Sequence, residues 1–264
     1  MTLVQTCQCT IMSFDEFIQH LSPLDLQARG AASRAEYRRR YLGALRLPTA
    51  AERAQIARTF VPARLDARLQ RRGLVLPREW PPCNVLVHEN HMVEGGMPHT
   101  QAGMPHTQAG MPHMQGSVIV LPAWEFRSPQ FASTLQHEYT HVLQRAFPAQ
   151  FAEWYRTHWS VAEVPTAALG ATAARRRTNP DAMSLYAPVT PVMPVTPVAP
   201  SAPVAPSLPT SRRGRSPVDP NAPWAPGAPW AALYREQPRS LSDYECVTEW
   251  EHPHERLAYE LEMW

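Results

Sequence analysis

The amino-acid sequence predicts an α+β fold that is mainly helical, contains a small sheet and is interrupted by a proline-rich insertion. Apolar residues recur at three- and four-residue spacing in several segments, which is typical of amphipathic helices packed on a core. Two short runs, at residues 84–89 and 117–122, have the composition of β-strands. Prolines occupy every third position over residues 188–209, a pattern that indicates an extended rod and not core material.

The overall composition favours a folded protein with one catalytic domain or two small ones. The chain has 264 residues, of which 44% are hydrophobic and 8 are tryptophan. Its net charge of +2 predicts attraction neither to nucleic acid nor to a membrane. The 4 cysteines lack the paired CxxC spacing of a structural zinc site. Because no signal-peptide pattern and no long apolar run occurs, we expect a soluble, intracellular and cytoplasmic protein.

Residues 1–80 form a predicted helical N-terminal region. Ser or Thr followed three positions later by Glu, the capping-box pattern, marks helix starts at Ser13, Ser33 and Thr49. A basic amphipathic helix is predicted from Arg64 to Arg72 and is expected to end at Gly73. Its arginines fit a solvated helix face better than an RNA- or membrane-binding face, because few aromatic residues lie among them.

A tandem repeat lies in the next predicted region, which spans residues 81–186. A heptapeptide of the form GMPHTQA occurs three times over residues 96–116, between the two predicted strands. Three short copies rich in Gly and Pro are too few for a solenoid, so we interpret them as a loop enlarged by duplication. Either this loop has no role, or one of its histidines (His99, His106, His113) contacts substrate or orients a ligand in the active site.

The main functional motif lies in an amphipathic helix predicted over Phe131–Ala146. His137 and His141 stand at positions i and i+4, so both imidazoles leave one helix face about 5–6 Å apart at Cβ. Two ring nitrogens at this spacing can reach one metal ion at about 2.0–2.1 Å. Glu138 lies further round the helix, where it can hold a water molecule beside the metal. Together the three residues form the HExxH pattern of zinc-dependent hydrolases, and the preceding strand favours this reading over a surface helix with two unrelated histidines.

The remaining segments are a second helix, a turn, a proline-rich insertion and a C-terminal helix. The second amphipathic helix is predicted over residues 149–159, and Asn179–Asp181 marks a turn. Residues 187–230 form the insertion, whose polyproline II part would extend about 65–70 Å. We interpret it as a spacer within one domain; the alternative is a docking ligand, at residues 188–229, for proline-recognition modules. Residues 231–264 regain globular composition and contain a helix that begins at Pro253.

The third metal ligand is not given by the HExxH motif itself. A catalytic zinc ion keeps three protein ligands and one open position. No His, Asp or Glu follows the motif at the short HxxGxxH spacing. The remaining acidic candidates are near in sequence or in the C-terminal segment: Glu153, Glu163, Glu251, Glu255 and Glu260.

Several motifs resemble known zinc peptidases. Glu255, followed by the small Ala258 one turn later, resembles the glutamate-bearing second helix of the gluzincins, whose ExxA-like helix packs against the HExxH helix. The chain is also similar to a group of zinc metallopeptidases of large DNA viruses and unicellular eukaryotes. The matching pieces span residues 94–258: Glu94–Thr100, Leu121–Pro122, His137–Arg145, Asn179–Asp181 and Glu251–Ala258. The resemblance implies a zincin-like metallopeptidase fold in which the C-terminal helix carries Glu255 as the third zinc ligand.

The predicted activity is hydrolysis of peptide bonds in a protein or peptide substrate. His137, His141 and Glu255 would bind Zn²⁺, and Glu138 would act as the general base.

Further residues are expected to support this reaction. We expect the strand Val118–Leu121 to align the substrate by strand addition and Asp181 to orient a histidine ligand. Tyr186, His99 or His113 would donate a hydrogen bond to the oxyanion. The rival interpretation is a catalytically inactive zinc-binding or scaffold protein that presents the proline-rich segment for docking. Under either interpretation we expect neither nucleic acid nor a membrane as a partner.

Overall fold

The computed structural model describes residues 14–89, 112–189, 229–238, 243–246 and 252–262. Within these residues the protein is α+β, with α-helices and small β-sheets, as the sequence predicts. The first two copies of the repeat, with His99 and His106, lie outside the described residues. So do Ser13 and most of the proline-rich insertion, so the predicted cap and polyproline rod stay predictions.

Five helices occupy residues 14–80, the described section of the N-terminal part: α1 (14–20), α2 (Pro23–Ala28), α3 (Arg34–Gly43), α4 (Ala50–Thr59) and α5 (Pro62–Arg71). Two predicted caps are confirmed, because the side chains of Ser33 and Thr49 accept hydrogen bonds from backbone N–H groups at the third helical position. Gly73 follows α5 with a φ of 76°, which confirms it as the end of that helix.

The main sheet has four strands in the order β1–β2–β4–β3: β1 (Leu45–Arg46), β2 (Asn84–His88), β4 (Val118–Pro122) and β3 (His113–Gln115). Strand β4 runs parallel to β2 and antiparallel to β3. From Val118 to Val120 it therefore has a hydrogen-bonded neighbour on each side. The prediction that this strand adds a substrate strand is wrong, because those backbone groups already pair with β2 and β3.

The HExxH helix α6 has the bounds that the sequence predicts, Phe131–Ala146. It is followed by α7 (Pro148–Trp159) and, near the end of the described chain, by α8 (Pro253–Glu262). The described residues also form two antiparallel pairs: β5 (Val161–Val164) with β6 (Leu185–Pro188), and β7 (Ala232–Tyr234) with β8 (Tyr244–Cys246). Two 3₁₀ segments are present, Ala123–Arg127 and Thr166–Arg175. Among the described residues, no helix has both the length and the apolar character needed to cross a membrane.

The main hydrophobic core holds α8 against α6. Its buried side chains come from α5, β4, α6, α7 and α8, and include Leu65, Ile119, Leu135, Phe151 and Leu257. On α8, Leu257, Ala258 and Leu261 are at most 1% exposed. Burying a leucine side chain contributes about 1.5–3 kcal/mol, so the apolar face of α8 stabilises its contact with α6. The small Ala258 lets the two helices approach closely.

A buried polar network connects α2 to the turn at residues 178–181. The carboxylate of Asp25, which is 0% exposed, accepts hydrogen bonds from Arg29, from the Tyr234 hydroxyl, and from the backbone N–H and hydroxyl of Thr178. Arg29 Nη2 also donates to the Thr178 carbonyl over 3.0 Å. Because Thr178 directly precedes Asn179, this network holds the segment through which Asn179 contacts Glu255 on α8.

Candidate metal centre

Three side chains converge between α6 and α8. The Nε2 atoms of His137 and His141 are 3.0 Å apart, and Oε2 of Glu255 lies 3.3 Å from the former and 3.5 Å from the latter. Ligands bound at about 2.0–2.1 Å to a tetrahedral ion are about 3.3–3.4 Å from one another. His137, His141 and Glu255 therefore lie close enough to bind one metal ion.

The antiparallel packing of α6 and α8 produces this triangle. His137 and His141 face α8 from successive turns of α6, and Glu255 lies in the first turn of α8. Tyr259, one turn further along α8, places its ring 4.5 Å from the His137 ring. The C-terminal end of α8 reaches the preceding turn of α6, where Gln136 Nε2 donates to the Leu261 carbonyl over 2.8 Å.

The other acidic candidates for the third ligand lie elsewhere. Glu260 accepts hydrogen bonds from Arg72 and Arg256. Glu153 forms an exposed ion pair with Arg156 on α7. Glu163 pairs with Tyr186 in the β5–β6 ladder, and Glu251 lies outside the described residues. Among the described residues, Glu255 is thus the acid that joins the two histidines.

The second oxygen of Glu255 is held by an asparagine. Asn179 Nδ2 donates to Glu255 Oε1 over 3.1 Å, and Asn179 Oδ1 accepts from the Asp181 backbone N–H over 2.9 Å. Burial alone would raise the pKa of Glu255, but the neighbouring His141 and His137 hold that pKa well below its ordinary value. Glu255 is therefore ionised, with one oxygen anchored and the other directed at the histidines.

His141 is oriented by Gln144. Its Nδ1 lies 2.7 Å from Gln144 Oε1, while Gln144 Nε2 donates to the Tyr155 hydroxyl and to the His254 carbonyl. Because both amide hydrogens are used in this way, the Gln144 oxygen faces the ring and Nδ1 carries the hydrogen. Nε2 of His141 then has no hydrogen and lies beside His137 Nε2 and Glu255 Oε2, so its lone pair is available to a metal ion held by all three.

The sequence predicts that Asp181 orients a histidine ligand. At His141 the residue in this role is Gln144. The Asp181 carboxylate instead accepts the Met114 backbone N–H over 2.5 Å. The backbone N–H of Asp181, and not its carboxylate, is connected to the metal centre: it donates to Asn179 Oδ1, and Asn179 in turn donates to the carboxylate ligand Glu255. The hydrogen bond from Met114 to Asp181 also attaches β3, which lies in the third copy of the heptapeptide, to the turn beside the site.

Glu138 is a buried carboxyl group beside the three candidate ligands. It is 4% exposed, and its Oε2 has no hydrogen-bond partner among the described residues. Burial, with a further contribution from the Asp181 charge, raises the pKa of Glu138 to about 8. A carboxyl group with one unpartnered oxygen and a raised pKa fits a group that accepts and returns a proton.

The residues predicted to stabilise an oxyanion occupy different environments. Tyr186 lies in β6, is 3% exposed, and packs its ring edge-to-face on those of Tyr155 and His252. Burial raises the pKa of Tyr186 to about 12. His113 is buried in β3, with its Nε2 2.5 Å from the Tyr41 hydroxyl. His99 lies outside the described residues, and the oxyanion roles of all three residues stay predictions.

The site roles of Gln144 and Tyr259 were missed by the sequence analysis, which identified Asn179 only as part of a turn. Gln144 lies three positions after His141, and Tyr259 lies four positions after Glu255. Both spacings place a side chain on the same helix face as a ligand. Searching the ligand-bearing faces for polar and aromatic residues at i+3 and i+4 would have found them.

Comparison of the chain with protein-family models, with curated proteins and with solved structures gives no match. The relation to the gluzincins and to the viral metallopeptidases thus stays a resemblance in the motifs described above. The candidate metal centre follows from the distances and burial of the chain's own residues.

Proposed function

We propose that this protein is a zinc-dependent peptide-bond hydrolase. The observation that supports the proposal is the triangle formed by His137 Nε2, His141 Nε2 and Glu255 Oε2, with the Glu138 carboxyl group beside it. Two imidazoles and one carboxylate form a donor set used by catalytic zinc sites, whereas Mg²⁺ and Ca²⁺ prefer all-oxygen sites. We therefore propose Zn²⁺ as the ion, since catalytic zinc sites use this set of two imidazoles and one carboxylate.

Each of the chain's residues has a distinct role in this proposal. His137, His141 and Glu255 hold the ion, while Asn179 and Gln144 position the ligands. When bound, zinc supplies Lewis-acid chemistry, which lowers the pKa of water to about 7 and polarises a carbonyl. Glu138 takes the proton from the attacking water and passes it to the leaving amine. Its burial suits it to hold that proton between the two events.

A metal centre without catalysis is the second candidate. It is favoured by burial, since the His141 side chain is 0% exposed and that of Glu255 is 11% exposed. Structural zinc sites, however, generally have four protein ligands. Within the described chain the cluster contains three metal-ligating side chains, which suits an ion with an open position.

Hydrolysis of a peptide library by the purified, zinc-loaded protein tests the proposal. We expect cleavage that a chelator abolishes and added Zn²⁺ restores. Glu138→Gln should abolish cleavage while zinc remains bound, because this substitution removes the base and leaves the ligands. Glu153→Gln, on the exposed surface of α7, is the matched control and should cleave at the wild-type rate. Absence of cleavage by the zinc-loaded wild type, or undiminished cleavage by Glu138→Gln, would contradict the proposal.

A further inference from the structure

A pocket of about 250 Å³ lies between α5, the residues just before it and the first turns of α6. Its lining includes the apolar side chains of Phe60 and Leu65. The polar part of the lining includes Arg64, Arg68, Ser133 and Gln136. None of the described residues that line the pocket is acidic. We refer to it below as the arginine pocket.

The arginine pocket carries positive charge without a described counter-charge. Arg64, Arg68 and Arg71 follow one another at helical spacing on α5, so their side chains share one face. Burial and the charges of Arg71 and Arg64 lower the pKa of Arg68. Arg68 Nη1 donates to a neutral group, the Leu261 carbonyl, over 2.6 Å. Within the described part of the chain, neither Arg64 nor Arg68 forms an ion pair, so an anion in this pocket would gain uncompensated attraction.

The arginine pocket adjoins the candidate metal centre. Ser133 and Gln136 lie on α6 within about one turn of His137, a distance of about 6 Å or less along the axis. The Leu261 carbonyl accepts hydrogen bonds from both Arg68 and Gln136, and it lies six residues after Glu255 on α8, about 9 Å along that helix. An extended peptide spans about 3.3 Å per residue. Measured along the helix axes, these offsets of about 6–9 Å correspond to two or three residues of an extended peptide.

We propose that the arginine pocket binds a carboxylate of the peptide substrate, two or three residues from the bond that is cleaved. Arg64, which is exposed, would make the main contact, while Arg68 is held in place by Leu261. The guanidinium group presents paired donors that match the two oxygens of a carboxylate. Phe60, which is only partly buried, would cover the aliphatic part of the same residue. This inference rests on the proposed peptidase function and adds a substrate preference to it.

The carboxylate can belong to an acidic side chain or to the C-terminus of the peptide. Two pairs of substrates separate these sources. The first pair has either Glu or Gln at the second and third positions on each side of the cleaved bond, and it tests an acidic side chain. The second pair ends in either a free acid or an amide, and it tests the C-terminus. We expect the zinc-loaded wild type to prefer the carboxylate-bearing member of one pair about tenfold in kcat/KM, mainly through KM. Equal cleavage within both pairs would overturn the inference while leaving the peptidase function standing.

Substitution of Arg64 assigns the preference to the pocket. Arg64→Ala should remove the preference, Arg64→Glu should reverse it, and Arg156→Ala on α7 should retain it as the matched control. Binding of the same peptides to the zinc-loaded Glu138→Gln protein gives a readout that does not depend on turnover. A preference that persists in Arg64→Ala overturns the inference. Arg64-dependent binding without cleavage by the wild type would instead support the pocket and contradict the peptidase function.

Discussion

Asn179 and Glu255 are 76 residues apart in the chain, yet Asn179 Nδ2 donates a 3.1 Å hydrogen bond to Glu255 Oε1. This contact leaves Oε2 of the same carboxylate facing His137 and His141. The turn at residues 178–181 thus determines which Glu255 oxygen is available to a metal ion. The buried Asp25 network holds that turn, so the N-terminal helices contribute to the geometry of the site.

Removing the Asn179 side chain should weaken metal binding without unfolding the protein. We expect Asn179→Ala to lower the zinc affinity about 10–100-fold, as loss of a residue that orients a metal ligand typically does. Competition with a chromophoric chelator measures the affinity. Asn84→Ala at the start of β2 is the control and should bind zinc as the wild type does. An Asn179→Ala protein with unchanged affinity would show that the hydrogen bond has no role in positioning Glu255.

Gln144 should control which His141 nitrogen carries the hydrogen. We expect Gln144→Leu, which lacks an acceptor, to reduce zinc affinity about 10–100-fold. Gln144→Glu keeps an acceptor oxygen and should retain the greater part of the affinity. Nitrogen-15 NMR of the imidazole should show the Nδ1–H tautomer of His141 in the wild type and a mixture in Gln144→Leu. A single unchanged tautomer in Gln144→Leu would argue against this role.

The Asp25 network should contribute strongly to stability. Arg29→Met leaves the buried Asp25 carboxylate without its cationic partner, which costs about 3–5 kcal/mol in comparable buried pairs. Urea denaturation measures the loss in the free energy of unfolding. Arg156→Met, at an ion pair more than half exposed, should change that free energy by less than about 0.5 kcal/mol. Similar results for the two variants would contradict a structural role for the network.

The capping box of α4 gives a pH-dependent contribution to stability. Hydrogen bonds from Arg46 lower the pKa of Glu52 to about 2, compared with about 4.3 for a glutamate in an unfolded chain. A lowered carboxyl pKa stabilises the fold fully above the unfolded pKa, and that contribution is lost as the pH falls towards the folded pKa.

We therefore expect Glu52→Gln to lower Tm at neutral pH, and the difference from wild type to shrink between about pH 5 and about pH 3. Thermal denaturation across this range measures the effect. Glu79→Gln, at an exposed position, is the control and should follow the wild type. A Glu52→Gln difference that stays constant with pH would show that the Glu52 charge does not act through this interaction.

Local patterns predicted the elements that depend on neighbouring residues in the chain. The bounds of α6, the start of α8 at Pro253, the caps at Ser33 and Thr49, and the end of α5 all follow from helical periodicity and capping chemistry. For the same reason, the motif alone predicted that His137 and His141 would face one ion.

The missed features depend on contacts between distant segments. Strand composition identified β4 but could not show that β2 and β3 would occupy both its edges. Spacing alone could not choose between Glu255 and Glu260, because the choice depends on the packing of α8 and on the arginines that bind Glu260. Asn179 acquires its role only after α8 and the turn at residues 178–181 have come together.

Zinc stoichiometry measured on the wild type and on Glu255→Ala tests the central claim most directly. The wild type and the exposed control Glu153→Ala should each retain one zinc ion per chain after dialysis, as measured by elemental analysis. Glu255→Ala should lose the ion, because two imidazoles alone hold it weakly. A wild type that binds no zinc, or a Glu255→Ala protein that keeps a full equivalent, would contradict the proposed metal centre.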